Sequence, residues 1–128
     1  MTAGAAKSSR GLPPARRLRQ AAQFKRLYAQ GRRLAADGFT AVVQDNDTGA
    51  ARLGLSVAAR ILRLAVQRNR VRRIIRESFR HHQQQLPPVD IVVGLRSAPR
   101  DADNAQLRRS LEKLWQKIYA TCARSSAS

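Results

Sequence analysis

Residues 53–80 read LGLSVAARILRLAVQRNRVRRIIRESFR, and this stretch decides the fold class. At its start, Leu53, Leu55 and Val57 alternate with small or polar residues, which is typical of a β-strand because successive side chains point to opposite faces. Further along, one arc of a helical wheel collects Val71, Ile74, Ile75, Ser78, Phe79 and His82. The stretch therefore predicts a strand that is followed by an amphipathic helix.

The opposite arc of this predicted helix is basic. Between Arg60 and Arg80 there are eight arginines and one acidic residue, and Arg68, Arg72 and Arg76 are spaced four residues apart. An exposed helix face normally mixes charges of both signs, whereas this face does not. A phosphate backbone would relieve the repulsion between the guanidinium groups, so the face predicts binding to nucleic acid.

Periodicity predicts two more elements ahead of this stretch. Apolar residues at spacings of three and four predict a helix at residues 17–30, which ends at Gly31. Alternation predicts a strand at residues 39–44. Because turn-forming residues at 45–49 separate this strand from the one that begins near Leu53, we expect the two strands to pair as a hairpin.

Two further elements are predicted after the basic helix. The run VDIVVGL at residues 89–95 predicts a strand buried on both faces, reached from the previous strand by a crossover through the basic helix. A last helix, capped by Asp103 or Asn104, is predicted from one apolar stripe: Leu107, Leu111, Leu114, Trp115, Ile118 and Cys122. This order of elements predicts an α+β domain with helices layered on a small sheet.

Length and charge limit the function classes. The 128 residues suit one domain, which we place at residues 16–122 between a flexible basic arm at 1–15 and a disordered tail at 123–128. The formal net charge is +17, and 21 of the 25 cationic residues are arginine, whose planar guanidinium binds phosphate through two hydrogen bonds. A polyanionic partner is therefore expected, and nucleic acid is the usual one.

Other features exclude several classes of protein. The single cysteine, Cys122, excludes an internal disulfide and a cysteine-based zinc site. No apolar run reaches the ~18 residues of a membrane span, so we expect a cytoplasmic protein with no membrane partner. We also expect no small-molecule substrate. The acidic residues are scattered, and the adjacent His81 and His82 would point about 100° apart on a helix. Neither a catalytic residue nor a metal site is therefore predicted.

Phe24 and Tyr28 are four residues apart on the first predicted helix, and their spacing allows two interpretations. Such a pair usually packs in the core. Alternatively, the two rings form a surface on which single-stranded bases stack. Composition and spacing leave both interpretations open.

The motifs of the opening stretch resemble those of the bacterial ribonuclease P protein subunit. They are GLSV at residues 54–57 and RNRVRRIIRESFR at residues 68–80, at the spacing usual for that family. Further agreement comes from RL at 17–18, QF at 23–24, Tyr28, LP at 86–87, DIVV at 90–93 and LEKLW at 111–115. The resemblance covers roughly residues 16–120.

The resemblance implies a two-layer α-β sandwich of order αβββαβα with a left-handed βαβ crossover, and hence one more strand near residues 33–36. It also implies that the protein joins a large catalytic RNA and that the complex removes the 5′ leader of precursor tRNA by hydrolysis. The RNA would carry the chemistry and hold most of the magnesium ions, and no cofactor is expected on the protein alone. The implied partners are the catalytic RNA and precursor tRNA.

The resemblance also assigns residues to two surfaces. The helix that lies against the catalytic RNA would use Arg68, Asn69, Arg70, Arg72, Arg73 and Arg76. The cleft for the leader would use Phe24, Tyr28, Ser56 and Arg60. Two positions depart from the family pattern, because Ala59 stands where a basic residue is usual and Val42 replaces a strand aromatic residue of some members.

Three other classes of binding protein fit the sequence less well. A ribosomal RNA-binding protein without a catalytic role is the main alternative, and the motifs argue against it. A helix-turn-helix DNA-binding protein would need a short turn between two helices, whereas predicted strands flank the basic helix. An amphipathic membrane-binding protein would give no reason for the strands.

Overall fold

A computed structural model describes residues 21–46, 48–99 and 103–127 of the chain. Three α-helices and four strands occupy these residues in the order αβββαβα. They are α1 (Ala21–Gln30), β1 (Arg32–Ala36), β2 (Phe39–Asp45), β3 (Arg52–Ser56), α2 (Ala65–His82), β4 (Val89–Leu95) and α3 (Asn104–Ala127). The α+β class is confirmed, and so is the strand predicted near residues 33–36.

The four strands form a mixed sheet in the order β1-β2-β4-β3. β1 and β4 both pair antiparallel with β2, and β3 pairs parallel with β4. The predicted hairpin between β2 and β3 is therefore wrong. β4, which is mostly apolar, lies between them, and this central position pairs both of its edges with neighbouring strands. The left-handed sense of the crossover through α2 stays a prediction.

The hairpin of this fold joins β1 to β2 through Asp37 and Gly38. Asp37 has a left-handed backbone conformation with φ 54°, which aspartate adopts more readily than most residues. Its carboxylate accepts a hydrogen bond of 2.6 Å from Ser110 Oγ and lies 3.6 Å from Lys113 Nζ, so the turn is tied to α3. The hydrogen bond from Ser110 and the charge of Lys113 hold the pKa of Asp37 below its ordinary value.

One face of the sheet packs against α2 and α3 and forms the main core. Alternate residues of the strands point to this face, and they include Phe39, Ala41, Val43, Leu53, Ile91 and Val93. They meet buried residues of the two helices, which include Ile74, Ile75, Phe79, Leu111, Leu114 and Ile118. All six residues of the stripe predicted on α3 are buried, so its helical periodicity is confirmed.

The two ends of α3 differ in how well they were predicted. At its start, Gln106 N donates to Asp103 Oδ1 at 2.8 Å and Asp103 N donates to Gln106 Oε1 at 3.0 Å, which is a reciprocal cap. Asp103 is thus the residue that caps the helix. At its end, α3 continues to Ala127, which lies beyond the start of the predicted tail at residue 123.

Some predicted segments lie outside the described residues, namely the arm at 1–15 and the first helical turn at 17–20. The boundaries proposed for the domain therefore stay a prediction. In the ranges that the structure does describe, no helix is long and apolar enough to cross a membrane.

The second face of the sheet is only partly covered. Here α1 packs Leu27 against Val42 and Val92, and Phe24 packs against the same small cluster. Gly31 allows the close approach of α1 to the sheet, since a Cβ at this position would lie 2.6 Å from Val42 Cγ1. The rest of this face is open and carries the candidate site.

Candidate nucleic-acid interface

The open part of the sheet forms the floor of a cleft. Thr40, Gly94 and Ser56 lie side by side on β2, β4 and β3. Gly94 keeps the floor flat, because a Cβ at this position would lie 2.8 Å from the backbone oxygen of Ser56 and 3.3 Å from Thr40 Oγ1. Two hydroxyl-bearing residues therefore flank a stretch of bare backbone that a ligand can approach closely.

The walls of the cleft come from three other elements. Tyr28 of α1, which is 40% exposed, Arg33 of β1 and Arg60 of the loop after β3 all line the same space of about 420 Å³. Ser56 lines it as well. The structure thus brings together three of the four residues predicted for the leader cleft.

Arg33 is a cleft residue that the sequence did not predict. Its Nη2 donates to the backbone oxygen of Tyr28 at 3.1 Å, and its Cζ lies 6.0 Å from the centroid of the Tyr28 ring. This is the distance of a cation–π contact, so Arg33 places a positive charge beside the ring. Arg33 pairs with Val42 and therefore shares the face of the sheet that carries the cleft, but the sequence of β1 gives no signal of this register.

The fourth predicted residue, Phe24, does not line the cleft. It is partly buried against Leu27, Val42 and Val92, so its ring holds α1 on the sheet. Each interpretation of the aromatic pair thus fits one residue: Phe24 packs against the sheet, and Tyr28 is exposed. Val42 is likewise buried beneath α1, although it also borders the cleft.

Two of the arginines predicted to bind RNA also brace the N-terminal part of their helix. Nη1 of Arg68 donates to the backbone oxygens of Leu62 and Arg63, both at 2.8 Å, and so holds the loop ahead of α2. Nε of Arg70 donates to Oδ1 of Asn104 at 2.9 Å and so links α2 to the start of α3. The structure therefore orders these side chains before any partner arrives.

The other predicted residues of α2 lie on the face that points away from the core. Asn69 and Arg73 are exposed, while Arg72 and Arg76 are partly buried. Oδ1 of Asn69 accepts a hydrogen bond of 3.2 Å from Nη1 of Arg72 and orients its guanidinium. With Arg68 and Arg70 these residues make a basic face, which can bind the phosphates of a nucleic acid.

The acidic and nucleophilic groups of the described residues take other positions. Asp90 on β4 pairs with Arg52 on β3 through two hydrogen bonds of 2.8 Å. Burial raises the pKa of the Cys122 thiol, which disfavours the nucleophilic thiolate. Within the described residues, no three histidine, cysteine, aspartate or glutamate side chains form a group that could hold a metal ion. The arrangement can therefore bind phosphate and stack bases.

Comparison with known proteins gives a family for this arrangement. The family model described as Ribonuclease P matches residues 12–119, which include the cleft and the basic face of α2. The chain belongs to the ribonuclease P family. A relative from Thioalkalivibrio sulfidiphilus, named ribonuclease P protein component, is 44% identical over 113 residues, which make up 88% of this chain and 94% of the relative.

Two solved structures of ribonuclease P proteins share the fold. The protein from Staphylococcus aureus superposes with a TM-score of 0.75 at 32% identity, over 81% of this chain and 97% of its own. The protein from Thermotoga maritima, solved in complex with 1-(4-fluorophenyl)-2-thiourea, gives a TM-score of 0.71 at 28% identity, over 79% of this chain and 98% of its own. The family resemblance drawn from the motifs is thereby confirmed.

Proposed function

We propose that this chain is the protein subunit of ribonuclease P, which holds the 5′ leader of precursor tRNA while the catalytic RNA removes it. The observation that carries the proposal is the cleft on the open sheet face, where Tyr28, Ser56 and Arg60 meet. Membership of the ribonuclease P family supports the same assignment, because it implies an RNA partner.

The cleft suits a single-stranded leader. The bases of a single strand are free to stack on an aromatic ring, and Tyr28 offers such a ring at the wall of the cleft. Arg33 and Arg60 supply positive charge for the phosphates of the strand. The flat floor at Gly94 lets a base approach the sheet closely enough to reach the hydroxyl group of Ser56.

The basic face of α2 suits the catalytic RNA. Its arginines lie on one side of a helix whose opposite side is buried, so a phosphate backbone can follow the helix without disturbing the core. The loop that lines the cleft at Arg60 leads directly into α2 at Ala65. The two surfaces are therefore adjacent along the chain, which suits a protein that binds the leader and the catalytic RNA together.

We assign the hydrolysis itself to the RNA. A net charge of +17 repels divalent cations, and the magnesium ions that the reaction needs would be held mainly by the RNA. The protein would contribute binding and orientation of the substrate. We place this activity in the cytoplasm, with no small-molecule substrate and no membrane partner.

Reconstitution with a bacterial ribonuclease P RNA tests the proposal. At low magnesium concentration, the wild-type protein should restore cleavage of precursor tRNA, while the protein freed of RNA should cut nothing. A variant with Arg72, Arg73 and Arg76 replaced by glutamine should bind the RNA more weakly, with a log–log salt slope flatter by about 0.7–0.9 for each phosphate that is no longer neutralised. A wild-type protein that binds ribosomal RNA more tightly and leaves cleavage unchanged would instead be a ribosomal RNA-binding protein.

A further inference from the structure

Two aliphatic side chains at the start of α2 are exposed to solvent. Leu64 is 62% exposed and Val66 is 80% exposed, whereas Leu62, two residues earlier, is buried in the core. Ile61 also packs against the core. Ile61 and Leu62 are therefore the last apolar residues of this loop that pack in the core, and the side chains of Leu64 and Val66 point outward.

Leu64 is also an unfavourable residue for its backbone position. It is the N-cap of α2, with φ −82° and ψ 129°, and its side chain makes no capping hydrogen bond. Serine, threonine, aspartate or asparagine would stabilise a helix at this position, because a side-chain oxygen accepts a hydrogen bond from an unpaired N–H group of the first turn. The stability of α2 therefore gives no reason for a leucine here.

The surroundings of Leu64 are rigid and basic. The guanidinium of Arg68 donates to the backbone oxygens of Leu62 and Arg63, which fixes the segment just ahead of Leu64. Arg63 itself is exposed. The leucine side chain is thus presented to solvent from a braced loop, next to positive charge.

Val66 continues the basic face of α2. Asn69 and Arg73 follow it by three and seven residues, so the three side chains share one face of the helix. All three are exposed. A partner that binds the basic face therefore meets the valine as well.

We propose that Leu64 and Val66 pack against one or two unstacked bases of the catalytic RNA, where it lies on the basic face of α2. The inference rests on the proposed function. Positive charge around the pair favours a polyanion, and bases that leave the stack of an RNA loop or bulge expose apolar faces. A second copy of this chain fits less well, because two surfaces of net positive charge repel each other.

The test compares Leu64→Asn and Val66→Thr, singly and together, in the full-length chain. Asparagine is a good N-cap, so Leu64→Asn should leave the melting temperature unchanged or raise it. The same variant should bind a bacterial ribonuclease P RNA more weakly, and the double variant should show about tenfold lower affinity because its apolar packing on the bases is removed. A residue that serves only the helix would not move stability and affinity in opposite directions.

The salt dependence separates this packing from electrostatic binding. Removal of apolar packing should lower the affinity of the double variant equally at all salt concentrations, whereas Arg73→Gln should flatten the slope. Tyr119→Ser is the matched control, because Tyr119 is 56% exposed on α3 and borders a groove with His82 at the other end of α2. This control should bind the RNA like the wild type.

Three outcomes would overturn the inference. If the double variant binds the RNA like the wild type while Arg73→Gln weakens binding, the bases do not pack on the pair and the proposed function stands. If the double variant instead loses binding to anionic phospholipid vesicles, or loses self-association in sedimentation, with its RNA affinity unchanged, the pair serves a membrane or a second copy. If the wild type itself does not bind ribonuclease P RNA, the proposed function fails first.

Discussion

Replacing Tyr28 with alanine separates substrate binding from folding. Tyr28 is 40% exposed, and its ring makes a cation–π contact with Arg33, which at an exposed site contributes about 0.5–1 kcal/mol. We therefore expect Tyr28→Ala to lower the free energy of unfolding by about 1 kcal/mol, which for a domain of about 100 residues lowers the melting temperature by roughly 4–5 °C.

The effect on the substrate should be larger. One base–aromatic stack contributes ~1–3 kcal/mol, so the dissociation constant of the holoenzyme for precursor tRNA should rise by a factor of about 5 to 150. Mature tRNA has no leader, and its affinity should stay unchanged, as should the affinity of the protein for the catalytic RNA. Fluorescence titration measures the three affinities, namely those of the holoenzyme for precursor tRNA and for mature tRNA and that of the protein for the catalytic RNA. Thermal unfolding of the protein measures its stability.

Phe24→Ala is the matched control for this experiment. Phe24 lies one helical turn away on α1 but packs on Leu27, Val42 and Val92, so its truncation should cost up to ~3 kcal/mol of stability. Once the protein is folded, every RNA affinity of this variant should fall together or not at all. If Tyr28→Ala instead collapses the stability, or weakens precursor and mature tRNA equally, the leader does not stack on Tyr28 and our reasoning about the cleft is refuted.

Three further substitutions probe the cleft and the core. Arg33→Gln should weaken binding of precursor tRNA about fivefold and flatten its salt dependence. Arg32→Gln is the control and should do neither, because the guanidinium of Arg32 reaches towards Thr121 on α3. Equal effects of the two substitutions would contradict the assignment of Arg33. Gly94→Ala forces a Cβ against backbone, so calorimetry should show a stability loss of ~1–3 kcal/mol, and precursor affinity should fall more than mature tRNA affinity. Ser78→Ala removes the acceptor of the buried Trp115 Nε1 hydrogen bond of 2.8 Å and should cost ~1–3 kcal/mol, with RNA affinity at low temperature unchanged.

The helices and strand β4 could be predicted from sequence because their signals are local. The stripe on α3 repeats every three or four residues, and β4 is apolar along nearly its whole length. The pairing of β2 with β4 could not be predicted in this way, since alternation shows that a segment is a strand but not which strand lies beside it. The mostly apolar run of residues 89–95 does indicate that β4 lies inside the sheet rather than at its edge, because such runs are typical of central strands.

The cleft was harder to predict than the basic face of α2. The arginines of that face lie within one helix, so their spacing alone groups them. Arg33, Thr40 and Gly94 lie on three different strands, and only the register of the sheet brings them together. β1 itself has the sequence RRLAA, in which two arginines and two alanines hide the alternation that would place Arg33 on the cleft face.

The hydrogen bonds of α2 explain how a protein of net charge +17 can order its arginines and still keep their charge. Arg68 donates to the backbone oxygens of Leu62 and Arg63, and Arg72 donates to the amide oxygen of Asn69. These acceptors are neutral, so they hold the guanidinium groups without cancelling their charge, whereas a carboxylate partner would compete with phosphate. Ordering the side chains beforehand also lowers the conformational entropy that binding would otherwise cost. The arginines along α2 thus repel one another in the free protein, and a bound RNA backbone would relieve this repulsion.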